Sequence, residues 1–214
     1  LFSEGLFAKE FKGQQPQVLF EEHYLDYVSI DSDLKKVTKS FNLDNFDRVF
    51  KNAGFMIDGQ TYTTSVTPSF SGELAKLRTF LEKKKVEEEF YITDDDLEKW
   101  EYEKGAKAKT RTKNGYTYEW KEGKISFPDD LEKPSRTIIT SEGGKSPSRI
   151  KHVVDTRYGL RRLTPLELER LNMFPENHTL HEDVPNSKRA FLMGNALVVG
   201  IVEKLGSRLY KETV

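Results

Sequence analysis

The 214-residue sequence predicts an α+β fold: a small, mixed, β-rich region built on hairpins, followed by short C-terminal helices. Three observations predict it. Asp58-Gly59 and Asn114-Gly115 are turn dipeptides set between runs rich in aromatic and β-branched residues. Apolar residues at helical spacing come in short runs, most clearly near the C-terminus. The chain is 36% hydrophobic and 12% aromatic, enough for a core, yet 32% charged, where about 25% is usual. At roughly 150 residues per domain the length allows one or two domains.

The elements follow in order. Gln17-Val18-Leu19-Phe20 reads as a short extended run, and 32–41 as a helix with Leu34, Val37 and Phe41 on one face. Phe55 to Thr63 reads as a hairpin turning at Asp58-Gly59. Residues 72–85 read as a helix capped by Ser71, with Leu74, Leu77 and Leu81 on one face and Lys83, Lys84 and Lys85 in the last turn. The carboxylates of Asp94, Asp95 and Asp96 suit the first turn of a helix capped by Thr93, where the helix dipole favours negative charge, better than an acid/base pair.

Lys104 to Lys113 holds five basic residues in ten and few large apolar ones, so it reads as an exposed loop leading into the hairpin at Asn114-Gly115, with Tyr116, Tyr118 and Trp120 beyond. Thr164-Pro165-Leu166-Glu167 is a capping box with proline at the first helical position, and Leu163 and Leu168 hold the staple positions. Pro175 stops continuation. A last helix is expected from about Asn195 to Leu205, with Leu197, Ile201 and Leu205 on one face and Gly206 as its cap. A stripe that wide implies a surface to pack on.

Charge divides the chain. Residues 1–103 carry 13 basic and 21 acidic side chains, and residues 104–214 carry 21 and 14, so a net charge of −1 hides an acidic half and a basic half. The basic bias is concentrated in 104–162, a candidate for phosphate contact. There is no cysteine, which excludes a disulfide scaffold, a Cys-ligated zinc, an iron–sulfur cluster and a thiol nucleophile. No apolar run approaches the roughly 18 residues of a membrane span, so a soluble protein without a membrane partner is expected. Gly144-Lys145-Ser146 lacks the upstream glycine of a phosphate loop, since position 139 is Ile139. His178, His181 and Glu182 have no third ligand at a recognisable spacing, and no metal site is expected. No Ser–His or Asp–His spacing points to a catalytic arrangement.

Three segments in series carry more. They are Lys133-Pro134-Ser135-Arg136-Thr137-Ile138-Ile139-Thr140; Arg162-Leu163-Thr164-Pro165-Leu166-Glu167 through Arg170-Leu171-Asn172-Met173-Phe174-Pro175; and Phe191-Leu192-Met193-Gly194-Asn195-Ala196-Leu197. In this order they resemble the C-terminal part of bacterial DNA (cytosine-5) methyltransferases. The segment from Arg162 to Pro175 is similar to that family's ninth motif, and the segment from Phe191 to Leu197 to its tenth. The resemblance covers about 133–206.

That resemblance implies a target recognition region over 1–132, completion of it with the ninth motif over 133–190, and the tenth motif with a C-terminal helix over 191–214. The family's cysteine nucleophile, its Gly-rich cofactor loop and its other N-terminal motifs are not in this chain. The expectation is therefore a C-terminal portion, either excised or the smaller subunit of a split enzyme, inactive alone. Its helices would pack on a Rossmann-like methyltransferase domain belonging to an N-terminal catalytic domain or subunit.

By the same resemblance the cofactor is S-adenosylmethionine, faced by Asn195, Ala196 and Leu197, with Asn195 capping a helix whose N-terminus would seat the cofactor carboxylate. The partner is double-stranded DNA. One recognition loop would comprise Lys107, Lys109, Arg111 and Lys113, and the other Gly143, Gly144, Lys145 and Arg149, with Arg136 and Thr137 beside a phosphate of the flipped nucleotide. Arg162, Glu167 and Arg170 read as structural. A restriction-modification role in the bacterial cytoplasm follows. A free-standing sequence-specific DNA-binding module is the alternative from another class, and a self-pairing interaction module is a third.

Overall fold

The computed structural model describes residues 5–11, 13–14, 26–29, 33, 53–58, 60–64, 66–113 and 115–213. The expected run at Gln17–Phe20, and the helix over 32–41 apart from Asp33, lie outside the described residues. The chain is a mixture of helices and small antiparallel sheets. It falls into two compact units, one of residues 1–72 with 204–214, the other of residues 73–203.

The first unit holds helix α1 (Leu6–Glu10), β1 (Gly13–Gln14), β2 (Asp26–Ser29), β3 (Ala53–Ile57), β4 (Gln60–Thr64) and β5 (Thr67–Pro68). Strands β2, β4 and β3 form one antiparallel sheet in that order, and β1 pairs β5. The hairpin expected at Asp58-Gly59 is present: Ile57 pairs Gln60, and Asp58 takes the positive φ of 49° that such a two-residue turn requires.

The second unit begins with a correction. Residues 72–85 do not form a helix; only Leu77–Phe80 makes a short 3-10 turn. The Leu77 and Arg78 N–H groups donate to Lys133 O and Leu131 O, so the backbone pairs with a distant segment instead of with itself. Leu77 is buried but Leu74 is exposed, so the leucines expected to share a helix face are separated. Another 3-10 turn, Glu88–Phe90, follows. Helix α2 (Asp94–Lys104) then starts at Thr93 with three aspartates in its first turn, as the sequence indicates, although the Thr93 hydroxyl meets the Asp96 carboxylate and not a backbone N–H.

Residues 104–113 are not a loop. Lys104 closes α2 and is buried, and β6 (Lys107–Lys113) pairs antiparallel with β7 (Tyr116–Glu122) over its whole length. Alternating Thr and basic residues suit a strand whose partner supplies aromatic and acidic side chains, an advantage invisible from the basic run alone. Strands β8 (Val153–Thr156) and β9 (Gly159–Arg162) form a further hairpin.

Helix α3 (Pro165–Leu171) carries the complete capping box: Thr164 Oγ1 accepts from Glu167 N, and Glu167 Oε2 accepts from Thr164 N at 2.9 Å. Leu163 and Leu168, the staple pair, join Leu77, Val154, Ala190 and Met193 in the core. Each buried Leu, Val or Met among these contributes about 2 kcal/mol, and Ala190 less.

The C-terminal helices differ from expectation. Helix α4 (Asn186–Asn195) begins after Pro185, and α5 (Val199–Thr213) begins beyond a break at 196–198. Asn195 therefore ends a helix instead of capping one, and Gly206 lies inside α5, not at its end. Proline at 185 sets α4 nine residues earlier than the apolar stripe suggests, because it fixes an extended entry (φ −66°, ψ 156°) and lacks an N–H to satisfy. An 18-residue window within 186–213 reaches a mean hydropathy of 1.3, which is weak ground for a membrane span because the break divides the stretch.

Candidate functional site

Twelve buried polar or charged side chains stand against nine buried apolar ones among the described residues, so polar pairing does much of the positioning in the second unit. Around residues 129–162 it forms a continuous frame. The Asp129 carboxylate accepts from Arg136 Nε at 2.7 Å and Nη2 at 3.1 Å, and from Val153 N at 2.8 Å. Arg136 also donates to Ile150 O at 2.7 Å and Lys151 O at 3.1 Å. The guanidinium expected beside a DNA phosphate thus holds two chain segments together. Its neighbour Thr137 is exposed.

Behind them Glu142 accepts from His152 N at 3.0 Å and pairs with His152 Nδ1 at 2.9 Å, while Ser135 Oγ lies 3.1 Å from Nε2. Sequence reading finds no such arrangement, because separations of 10 and 17 residues are closed only by the fold. The imidazole is fully buried and Glu142 nearly so, which leaves no room for a substrate at the ring. The trio braces the 135–142 segment from inside.

The 141–151 loop has its carbonyls drawn inward. Lys151 Nζ donates to Gly144 O at 2.9 Å and Ser146 O at 2.7 Å; Arg162 donates to Gly143 O at 3.2 Å, Gly144 O at 3.3 Å and Glu89 O at 2.5 Å. Burial lowers the pKa of both Lys151 and Arg162 from their ordinary values. A Cβ on Gly143 would sit 2.7 Å from Ser187 Cα, so this glycine lets the loop pack on α4. Lys145 points outward, with Glu89 3.4 Å away. Glu89 is held below the usual carboxylate range, first by a hydrogen bond from Asn186 and then by Lys145 and Arg162. Arg149 is turned inward: it donates to Gly105 O at 3.2 Å and to Gly123 O, and faces Glu122 at 3.7 Å.

On the β6–β7 hairpin, Lys107, Lys109 and Arg111 alternate and therefore share one face with Trp120 and Tyr118 of the partner strand. Lys107 is engaged by Glu103 at 2.6 Å and by the Tyr102 ring at 4.4 Å. Lys109 is exposed opposite Trp120. Arg111 is exposed with its guanidinium 4.3 Å from the centre of the Trp120 ring. Lys113 pairs Tyr116 at the turn.

At the other end, Phe174, Ala196, Leu197, Val199, Val202 and Glu203 line an open groove of about 480 Å³. Leu197 is 75% exposed there. Val199 N donates to Asn172 O at 2.9 Å, and Asn172 Nδ2 donates to Met193 O at 2.8 Å, which ties the groove floor to α4. Asn195 Nδ2 donates to Phe191 O at 2.9 Å. Asn195 occupies a helix C-terminus, so it offers no helix N-terminus to a carboxylate; α5 begins four residues later. A Cβ on Gly194 would lie 2.5 Å from Ile139 C and O, so the glycine permits α4 to touch the 139–140 backbone directly. Among the described residues no group of three or more His, Asp or Glu is placed to hold a metal; His178 leans on the Phe174 ring at 4.9 Å.

The family model of the C-5 cytosine-specific DNA methylases matches residues 27–211. The chain belongs to that family. Among curated methylases it is 34% identical over 212 residues to the Type II methyltransferase M.Sau3AI of Staphylococcus aureus, covering 99% of this chain and 48% of that protein. To the Type II methyltransferase M.Bsp6I of Bacillus sp. (strain RFL6) it is 26% identical over 129 residues, covering 59% of this chain and 38% of that protein. The solved S. pombe Dnmt2 methyltransferase is similar at a TM-score of 0.46 and 15% identity, over 72% of this chain and 52% of that one. The chain thus spans about half, or less, of the length of the curated relatives it matches.

For this member of the family the candidate DNA residues separate by geometry. Lys109, Arg111, Thr137 and Lys145 face outward, while Lys107, Arg136, Gly143 and Arg149 are engaged by the protein itself, as is the Gly144 carbonyl.

Proposed function

We propose that this chain is the target-recognition and C-terminal part of a DNA cytosine-5 methyltransferase of restriction-modification type, transferring methyl from S-adenosylmethionine to C5 of cytosine in a specific duplex sequence. One observation carries it: the methylase family model spans 27–211 of a chain that has no cysteine. The family's chemistry needs a thiolate to attack the base, so the nucleophile belongs to an N-terminal catalytic domain or subunit, and the chain alone is inactive. Residues 1–132 form the recognition region, 133–190 complete it, and 191–214 meet the cofactor side of the partner.

S-adenosylmethionine, when bound, supplies an electrophilic methyl on a sulfonium centre. The groove suits part of such a ligand: about 480 Å³ and mostly apolar, with the Glu203 carboxylate at its rim. Ala196 and Leu197 would cover the cofactor's apolar surface, and Asn195 would hold the turn that presents them. Lys109, Arg111, Lys113, Thr137 and Lys145 would follow the DNA backbone and the base edges, offsetting the cost of unstacking the target base. Lys107, Arg136, Gly143, Gly144 and Arg149 keep those groups in place. The relatives named as Type II methyltransferases support the restriction-modification assignment, and a chain that works on DNA would act in the cytoplasm of a bacterium.

The test is reconstitution. The chain is mixed with its separately produced catalytic part, and transfer of labelled methyl to duplex DNA is measured. Activity in the mixture and none in either part is expected. A well-folded mixture that stays inactive, or a chain active by itself, refutes the proposal.

A further inference from the structure

Ten arginines lie among the described residues, and nine of them are engaged through carboxylates or backbone carbonyls: Arg78, Arg136, Arg149, Arg157, Arg161, Arg162, Arg170, Arg189 and Arg208. Arg111 is different. Its guanidinium lies 4.3 Å from the Trp120 ring centre, and among the described residues no carboxylate or carbonyl accepts from it. A cation held over a ring face is attracted by the π system without using up its N–H donors on a carboxylate or carbonyl, so a guanidinium there keeps donors for an outside acceptor. The side chain is exposed on a two-stranded ribbon that adds no residue to the hydrophobic core. Such a ribbon fits the DNA major groove, where guanine O6 and N7 offer two acceptors spaced for one guanidinium.

We propose that Arg111, held over the Trp120 ring, is the specificity-determining residue that reads a guanine in the major groove, and that Trp120 is its positioning residue. The proposal rests on the reading of this chain as the recognition part of a DNA methyltransferase. It separates Arg111 from the neighbouring lysine: Lys109, although opposite Trp120 in register, carries a point charge that cannot bridge two acceptors and suits phosphate. Ordering a long side chain before binding also removes an entropic cost that a free arginine would bear on contact.

Bisulfite sequencing of an unmethylated random-sequence duplex DNA library, methylated by the reconstituted enzyme, tests it. The wild type should methylate cytosine in one motif. Arg111→Ala should lose about ten- to a hundredfold of the discrimination at one guanine of that motif, with other positions read as before. Arg111→Lys should not restore it, because an ammonium cannot bridge both acceptors. Trp120→Ala should resemble Arg111→Ala, and Trp120→Phe should keep most of the preference. Far-UV circular dichroism checks that each variant folds. An Arg111→Ala enzyme with unchanged motif preference overturns the proposal, as does one weakened equally on all sequences, which would mark a phosphate contact. A wild type that methylates no DNA at all would instead defeat the underlying methyltransferase reading, and this inference with it.

Discussion

Arg161 and Glu167 form a fully buried two-point ion pair, with Nη1 2.8 Å from Oε2 and Nη2 2.6 Å from Oε1. The same carboxylate accepts from Glu82 N at 2.8 Å and Thr164 N at 2.9 Å, so one side chain joins strand β9, the cap of α3 and the segment after the first 3-10 turn. Removing either partner strands a buried charge. Arg161→Met is expected to cost about 3–5 kcal/mol in urea unfolding. The double variant Arg161→Met with Glu167→Gln should lose less than the sum of the singles by at least about 1 kcal/mol. Additive losses would show that the pair does not act as a unit.

Two glycines in the C-terminal helices should respond oppositely to alanine. At Gly194 the new methyl meets the Ile139 backbone, which cannot swing aside, and a loss of about 1–3 kcal/mol or more is expected. At Gly206 nothing lies within 4 Å, and the residue is inside α5, so alanine should stabilise by about 0.5–1 kcal/mol. Thermal melts of both variants decide it; equal shifts would contradict the packing described.

Lys104 is buried, donates to Lys151 O, and has its pKa lowered by burial to about 8 from 10.5. Between those values the unfolded chain holds a proton that the folded chain has released, so stability climbs with pH from about 8 to 10.5. Below about 8 both states are charged and the full penalty stays. Lys104→Met should therefore lose this rise, seen as a shallower pH dependence of the urea midpoint over that window. Parallel curves for wild type and variant would sink the assignment.

Leu197 is exposed in the candidate cofactor groove and contributes little to the fold. In the reconstituted enzyme Leu197→Asp should raise KM for S-adenosylmethionine about tenfold, equal to ~1.4 kcal/mol, with the melting temperature unmoved. A lowered melting temperature with KM unchanged would assign Leu197 to folding instead.

Legibility followed the range of the interaction. The Asp58-Gly59 and Asn114-Gly115 hairpins and the Thr164–Glu167 capping box are settled by neighbours in the chain, and the structure contains all three. The helix expected over 72–85 failed because its backbone partners are at 131 and 133, more than fifty residues away. Most of the basic run at 104–113 became strand β6 because β7 supplies Trp120 and Tyr118, and its first lysine closes α2 in the interior. At the candidate site the residue types were visible, but their division into outward and engaged groups was not: Arg136 and Arg149 differ from Arg111 only in what the fold places beside them.

The sequence by itself determined the family, the absence of a thiol, the basic half and the short-range turns and caps, all properties of residue type and local spacing. Only the tertiary structure decided which charges stay available. Burying a cation requires partners, and carbonyls and carboxylates brought together from distant segments satisfy Arg136, Arg149, Arg161 and Arg162, while Arg111 meets an aromatic face.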